Sequence, residues 1–139
     1  VVLVGHSAGG HLALWAAREH PVALAVSLAG VCDLEAAADA GLGDSAVLEF
    51  LGADPDTDLY AAASPIARVP LARPALLIHG DADAIVPVQQ SRVYRDAAVT
   101  AGDDCELREL PGGDHFEPVD PAGRALPILQ QRLQTLSAG

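Results

Sequence analysis

The residues best suited to chemistry stand near the start of the chain, in the pentapeptide GHSAG at positions 5–9. An aliphatic run at positions 1–4 precedes it, and an alanine-rich stretch follows it. In that context, Gly-x-Ser-x-Gly predicts a strand that turns sharply into a helix, presents the Ser7 hydroxyl, and uses both glycines to admit neighbouring backbone. The N–H of Ala8 could then stabilise a negatively charged oxygen. Taken alone, the pentapeptide also allows Ser7 to be an ordinary helix N-cap.

A nucleophilic serine needs a general base, and the base needs a carboxylate that orients it. Two later predicted strands end in segments with those residue types: GDADAIVP carries Asp81 and Asp83, and PGGDHF carries His115. Because the carboxyl ends of parallel strands meet at one edge of a sheet, both segments should lie beside Ser7. The order serine, acid, histidine therefore predicts a catalytic triad, with Asp81 and Asp83 as alternatives for the acid.

Other polar residues near these segments have simpler expected roles. Asp33 follows the second predicted strand and is a third possible acid, but we expect it to cap a short helix over residues 34–40. We expect Asp81 to shape its turn through its own backbone. His79 should lie buried in a network of loop hydrogen bonds, and His6 should pack or hydrogen-bond within the serine turn.

Strands alternate with helices along the chain. The patterns predict strands over residues 1–4, 22–29, 74–79 and 105–110, and helices over 8–19, 89–101 and the tail after 121. The continuous aliphatic run at 1–4 is typical of a strand buried on both faces, whereas 105–110 alternates as at a sheet edge. Leu12, Trp15 and Ala16 mark the apolar side expected for the first helix. The predicted fold class is α/β, a mostly parallel sheet with flanking helices in three layers.

Residues 33–73 are too long for a simple crossover between strands. Short helices and turns fit them best, so we expect an irregular, helical, cap-like insertion. No linker or repeat divides the rest of the chain. Its 139 residues suffice for about one domain.

Composition excludes several classes of function. The formal net charge is −11, and every basic residue is arginine, so neither nucleic acid nor an anionic membrane is an expected partner. Cys32 and Cys105 follow no metal-binding or disulfide spacing. No apolar run reaches the ~20 residues that span a bilayer. We expect a cytoplasmic protein, with an upstream targeting segment left open.

Three segments, GHSAGG, HGDADAIVPVQQS and PGGDHF, resemble the α/β-hydrolase superfamily, in particular its esterase and prolyl-oligopeptidase-like branch. The resemblance covers residues 1–139 as the C-terminal part of a single hydrolase domain, a partial fold that starts at the nucleophile strand. It implies Ser7 as nucleophile, Asp83 as acid and His115 as base. It also implies that a second oxyanion donor comes from an upstream loop, so we expect the isolated chain to be unstable or inactive, with residues 1–4 as an exposed edge strand.

The resemblance implies a serine hydrolase that cleaves small carboxylic esters through an acyl-enzyme, with a short acyl group expected. A kynurenine formamidase-like amide hydrolase and a prolyl-oligopeptidase-like peptidase stay open, as does a catalytically inactive binding module of the same fold. Prolyl peptidases usually carry tyrosine where this chain has Ala8, which favours the esterase or the formamidase over the peptidase. The substrate would be a small-molecule ester or amide. The triad supplies nucleophile, base and orienting acid, so no cofactor and no metal are expected.

Overall fold

Four parallel strands form a single sheet in the computed structural model, which describes residues 1–52 and 54–138. The strands are β1 (Val2–His6), β2 (Leu24–Leu28), β3 (Ala75–Gly80) and β4 (Cys105–Leu110). The helices are α1 (Ala8–Glu19), α2 (Leu34–Asp39), α3 (Leu42–Leu51), α4 (Thr57–Ala63), α5 (Gln89–Thr100) and α6 (Ala125–Ser137). None of the described helices is long and apolar enough to cross a membrane.

The strands lie side by side in chain order, and each pairs in parallel with the next. His6 is in register with Leu28, and Gly80 is in register with Leu110. The carboxyl ends of all four strands therefore lie at one edge of the sheet. The segments that follow β1, β3 and β4, where the sequence places its candidate residues, begin at that edge.

Helices cover both faces of the sheet, which confirms the predicted three-layer α/β/α class. On one face, α1 and α5 bury Leu14, Tyr94 and Ala98 against the small aliphatic side chains of the strands. On the other face, α6 packs leucines and Ile128 against Leu76 and its neighbours. The core is aliphatic because the sequence holds few aromatic residues.

Residues 1–4 form the exposed edge strand expected of this chain on its own: β1 pairs only with β2 among the described strands and leaves Val4 50% exposed. Within the described residues, the burial on both faces that the aliphatic run predicts is absent from this sheet. The apolar side expected for α1 is wrong, since Leu12 is 55% exposed whereas Leu14 is 1% exposed. Both sides of α1 are apolar, so packing against the sheet rather than periodicity selects the buried one.

The segment between β2 and β3 holds α2, α3 and α4, followed by a 3₁₀ turn at Pro65–Arg68. Its helices share a small core of Leu34, Ala37 and Val47. The Asp33 side chain caps α2, as expected, by accepting a hydrogen bond from the Ala36 N–H. This segment is helical as predicted and contributes side chains to the site described below.

Replacing each of two leucines of α1 by alanine, one at a time, tests which side of this helix is buried. Leu14→Ala removes a fully buried side chain and should lower the free energy of unfolding by about 2–5 kcal/mol. Leu12→Ala, at an exposed position two residues earlier, should change it by no more than about 0.5 kcal/mol. Urea unfolding of both variants, made in the full-length protein, measures the difference, and equal losses would contradict the helix orientation.

Candidate active site

The serine turn has strained backbone geometry. Ser7 joins β1 to α1 with φ 57° and ψ −117°, a conformation that costs a non-glycine residue about 1–3 kcal/mol. The fold holds it through hydrogen bonds: the Ser7 N–H donates to the Leu28 carbonyl at 2.9 Å, and the Ser7 carbonyl accepts from Gly10 and His11. The Ser7 side chain makes no capping hydrogen bond, which excludes the interpretation of Ser7 as an ordinary N-cap. Its hydroxyl is left available for chemistry.

A close backbone contact between β1 and α1 makes the turn possible. A Cβ atom on Gly5 would overlap the carbonyl of Gly9 and lie 2.8 Å from the Gly10 nitrogen. Gly10 is equally confined, since its own Cβ would lie 2.8 Å from the Gly30 Cα. A Cβ on Gly9, in contrast, would meet nothing within 4 Å among the described residues. The expectation that both motif glycines admit neighbouring backbone is therefore right for Gly5 and wrong for Gly9.

The loop after β3 holds Asp83 with both carboxylate oxygens engaged. Oδ1 accepts hydrogen bonds from the backbone N–H groups of Ile85 and Val86, each at 2.8 Å. Oδ2 accepts one from His115 Nδ1 at 2.7 Å, and the Asp83 side chain is fully buried. Burial alone would raise the pKa of the Asp83 carboxyl, but the hydrogen bond from His115 and those from the two N–H groups outweigh it and hold the pKa below its ordinary value. Asp83 is therefore ionised at neutral pH.

The loop after β4 presents His115 in a defined tautomer. A carboxylate can only accept, so the bond to Asp83 places the proton of the neutral ring on Nδ1 and leaves Nε2 as a free base. The residue is buried, with 4% of its surface exposed. Among residues 1–52 and 54–138, no hydrogen bond joins His115 to Ser7. Bonds of this kind often tighten only when substrate is bound.

His79 lies next to Asp83 and belongs to a buried network of loop hydrogen bonds, as the sequence predicts. Its Nδ1 accepts from the Ser91 hydroxyl at 2.8 Å, and its Nε2–H donates to the Val86 carbonyl at 2.8 Å. The same Nε2 lies 3.3 Å from Asp83 Oδ2. Burial lowers the pKa of His79, so the ring stays neutral and acts as a fixed donor.

The two rival carboxylates are engaged in structural bonds. Asp81 Oδ1 accepts from the Gly112 N–H at 2.6 Å and so ties the loop after β3 to the loop after β4. The expectation that Asp81 shapes its turn through its own backbone does not include this side-chain bond to the neighbouring loop. Asp33 caps α2 and makes no bond to His115.

A cavity of about 310 Å³ opens beside Ser7. Its walls come from α1, α2, α3 and the loops after β2 and β3, and they are almost entirely apolar. Ser7 and His11 are the polar side chains among its described lining, and no charged side chain lines it. Phe50 of α3 lies at this cavity and is 66% exposed. The volume is at the lower end of the ~300–1,000 Å³ typical of small-molecule sites.

Two features of the site have no clear signal in the sequence. The first is the contribution of α3, whose residues Gly43 and Phe50 reach the cavity only because the segment between β2 and β3 folds back over α1. The second is His6: the sequence predicts that it packs or hydrogen-bonds within the serine turn, but its Nε2 bonds instead to the backbone carbonyl of His115 in the loop after β4, at 2.8 Å. These partners are 109 residues apart, so no local pattern could predict their contact.

A family model described as the prolyl oligopeptidase family matches residues 1–125. The chain belongs to the prolyl oligopeptidase family. This match spans all three candidate residues, and it confirms the branch of α/β-hydrolases that the three motifs resemble. No curated protein matches the chain.

Solved structures similar to this prolyl oligopeptidase family chain confirm its α/β-hydrolase fold. The acetyl ester-xyloside bifunctional hydrolase of Caldicellulosiruptor lactoaceticus matches with a TM-score of 0.81 and 22% identity, over 96% of this chain and 56% of its own. The puromycin-hydrolyzing peptidase of Mycobacterium tuberculosis matches with a TM-score of 0.71 and 26% identity, over 82% and 18%. The acylaminoacyl peptidase of Pyrococcus horikoshii matches with a TM-score of 0.80 and 19% identity, over 98% and 23%. This chain thus spans about half of the first protein and about a fifth of the two peptidases.

The two motif glycines provide a matched test of the serine turn. Gly5→Ala should lower the free energy of unfolding by at least about 1–3 kcal/mol, because its Cβ overlaps backbone that cannot move without opening the turn. Gly9→Ala lies in a helix with open space around it and should be neutral or stabilising by up to about 1 kcal/mol. Urea unfolding of the two variants, made in the full-length protein, distinguishes them. A Gly9→Ala variant as unstable as Gly5→Ala would contradict the described packing.

Proposed function

We propose that this chain carries the catalytic triad of a serine hydrolase that cleaves small carboxylic esters through an acyl-enzyme. In this proposal Ser7 is the nucleophile, His115 the general base and Asp83 the orienting acid. The observation that carries it is the 2.7 Å hydrogen bond from His115 Nδ1 to a buried Asp83, at the sheet edge where the strained Ser7 turn also lies. Membership of the prolyl oligopeptidase family supports the serine-hydrolase part of this proposal and is equally compatible with ester and peptide substrates.

Acylation begins with proton transfer from the Ser7 hydroxyl to His115 Nε2 as the Ser7 Oγ attacks the carbonyl carbon of the ester. Asp83 holds the ring in the tautomer that leaves Nε2 free, and its negative charge stabilises the imidazolium that forms. The tetrahedral intermediate then expels the alcohol, which leaves with the proton from His115. The acyl group remains bonded to Ser7.

Deacylation repeats these steps with water. His115 takes a proton from water, whose oxygen attacks the acyl carbon, and the bond to Ser7 Oγ breaks. The carboxylic acid leaves, and the proton returns to Ser7. Each step moves a proton only between oxygen and His115 Nε2, so the proposal needs no cofactor.

Acylation and deacylation each pass through a tetrahedral intermediate, and its negatively charged oxygen needs hydrogen-bond donors. Ala8 is the first residue of α1, so no carbonyl within that helix can accept from its N–H. It lines the same cavity as Ser7. We assign the Ala8 N–H as one donor, a type of interaction that contributes about 10²–10³ in turnover in a related enzyme.

The cavity beside Ser7 supports an apolar acyl group. His115 gives a proton to the leaving alcohol, so the alcohol part of the ester lies next to His115. The acyl part then lies on the side of Ser7 that faces away from His115. The cavity includes Ala8, Ile85 and Val86 but no residue of the loop that carries His115. Its 310 Å³ has room for more than the short acyl group expected from the sequence.

Amide and peptide bonds are the alternative substrates, because the same triad can cleave an N-formyl group or a peptide. Proteins of similar structure include an acetyl ester hydrolase and peptidases. A catalytically inactive binding module is the alternative outside enzymes.

Turnover of p-nitrophenyl acetate, N-formylkynurenine and an acylated peptide by the full-length protein tests the proposed reaction. We expect the ester to be cleaved with the highest kcat/KM, and Ser7→Ala to abolish turnover. Asp83→Asn should lower kcat by about 10⁴, the effect of the wrong histidine tautomer in a related triad, whereas the neighbouring Asp81→Asn should retain most activity. Preference for the amide or peptide would replace the ester assignment, and activity that survives Ser7→Ala would contradict the mechanism.

A series of p-nitrophenyl esters from acetate to hexanoate tests the acyl cavity. We expect kcat/KM to rise with each CH₂, by at most about fourfold, since burying one CH₂ contributes about 0.8 kcal/mol. Phe50→Ala should flatten this rise because Phe50 lines the cavity. Phe116→Ala, beside His115 but outside the cavity, should leave the slope unchanged. A slope that is the same in Phe50→Ala would place the acyl group elsewhere.

A further inference from the structure

The nucleophile and the base come from opposite edges of the described sheet. Ser7 follows β1 and His115 follows β4, with β2 and β3 between them. At ~4.8 Å per strand, the two edge strands are about 14 Å apart. The sheet alone therefore does not bring Ser7 and His115 into contact, and the loops after β1 and β4 must be joined in another way.

Three hydrogen bonds hold the loop that carries His115 against the loop that carries Asp83. None of the three reaches Ser7. Asp83 bonds the His115 ring, Asp81 bonds the Gly112 N–H, and the Gly113 carbonyl accepts from the Ala82 N–H at 3.0 Å. All three bonds lead to the loop after β3. They fix the distance between acid and base and leave the distance between nucleophile and base unspecified.

His6 makes the missing connection. Its Nε2 lies 2.8 Å from the backbone carbonyl of His115, and because a carbonyl only accepts, Nε2–H is the donor. Its ring also packs against the ring of His115, with centroids 4.7 Å apart, and against Phe116 at 6.0 Å. Within residues 1–52 and 54–138, this is the one hydrogen bond between the serine turn and the loop after β4. His6 precedes Ser7 directly, so the bond relates the backbones of nucleophile and base.

We propose that His6 is a positioning residue that sets the distance between Ser7 and His115 Nε2 through its hydrogen bond to the His115 carbonyl. The inference rests on the proposed function, because positioning has a catalytic effect only if these two residues exchange a proton. It assigns His6 no contact with the reacting atoms. A misplacement of about 1 Å in such a pair can cost about 10²-fold in rate.

Three variants of His6 in the full-length protein test this inference with p-nitrophenyl acetate. His6→Phe keeps a packed ring but has no donor, His6→Asn has an amide too short to reach the carbonyl, and His6→Gln places an amide N–H near the position of Nε2. We expect kcat to fall by about 10–10²-fold in the Phe and Asn variants with KM unchanged, and to recover substantially in the Gln variant. The downfield NMR signal of the His115 Nδ1 proton should remain in all three, showing that the bond to Asp83 is intact.

The outcomes separate this inference from the proposed function. If the wild type is active, Ser7→Ala is inactive and His6→Phe matches the wild type, the positioning role is wrong and the triad stands. If the Gln variant loses as much activity as the Asn variant, the hydrogen bond is not what matters, and the role is also wrong. If His6→Phe fails to fold, the comparison of Gln with Asn decides. A wild type without Ser7-dependent turnover overturns both proposals.

Discussion

The parallel alignment of four neighbouring strands is the constraint on which the rest of the structure depends. Because β1, β2, β3 and β4 all run in one direction, every strand ends at the same edge of the sheet. Loops separated by more than a hundred positions in sequence therefore start at the same edge of the sheet. Short loops are then enough for contact, and the hydrogen bonds between these loops orient the side chains.

Those hydrogen bonds form a continuous buried chain. Ser91 bonds His79, His79 bonds the Val86 carbonyl beside Asp83, and Asp83 bonds His115. Both ring nitrogens of His79, both carboxylate oxygens of Asp83 and Nδ1 of His115 are engaged, and buried polar groups that are satisfied in this way add rigidity rather than cost stability. Burial raises the pKa of the Asp83 carboxyl, and its three hydrogen bonds lower it by more, so that Asp83 stays ionised. The imidazole of His115 is thereby oriented before any substrate arrives, so little reorganisation is needed during the reaction.

Local patterns in the sequence were sufficient to predict much of this arrangement. α1 spans Ala8–Glu19 as predicted, since a glycine-flanked serine and a histidine before proline mark its ends. The loops that carry Asp83 and His115 follow strands whose aliphatic runs are easily recognised. The buried side of α1 was predicted wrongly because Leu12 and Leu14 are equally apolar, and only contact with the sheet distinguishes them. The bond from His6 and the cavity wall from α3 depend on contacts between distant segments, which no periodicity encodes.

The central claim is that Ser7 is the nucleophile activated by His115 and Asp83. The most direct measurement is to treat the full-length protein with a fluorophosphonate and locate the adduct by peptide mass spectrometry. The account predicts a single adduct on Ser7, lost in Ser7→Ala and formed much more slowly when His115 is replaced by glutamine. An unlabelled protein, or an adduct on another residue, would contradict it.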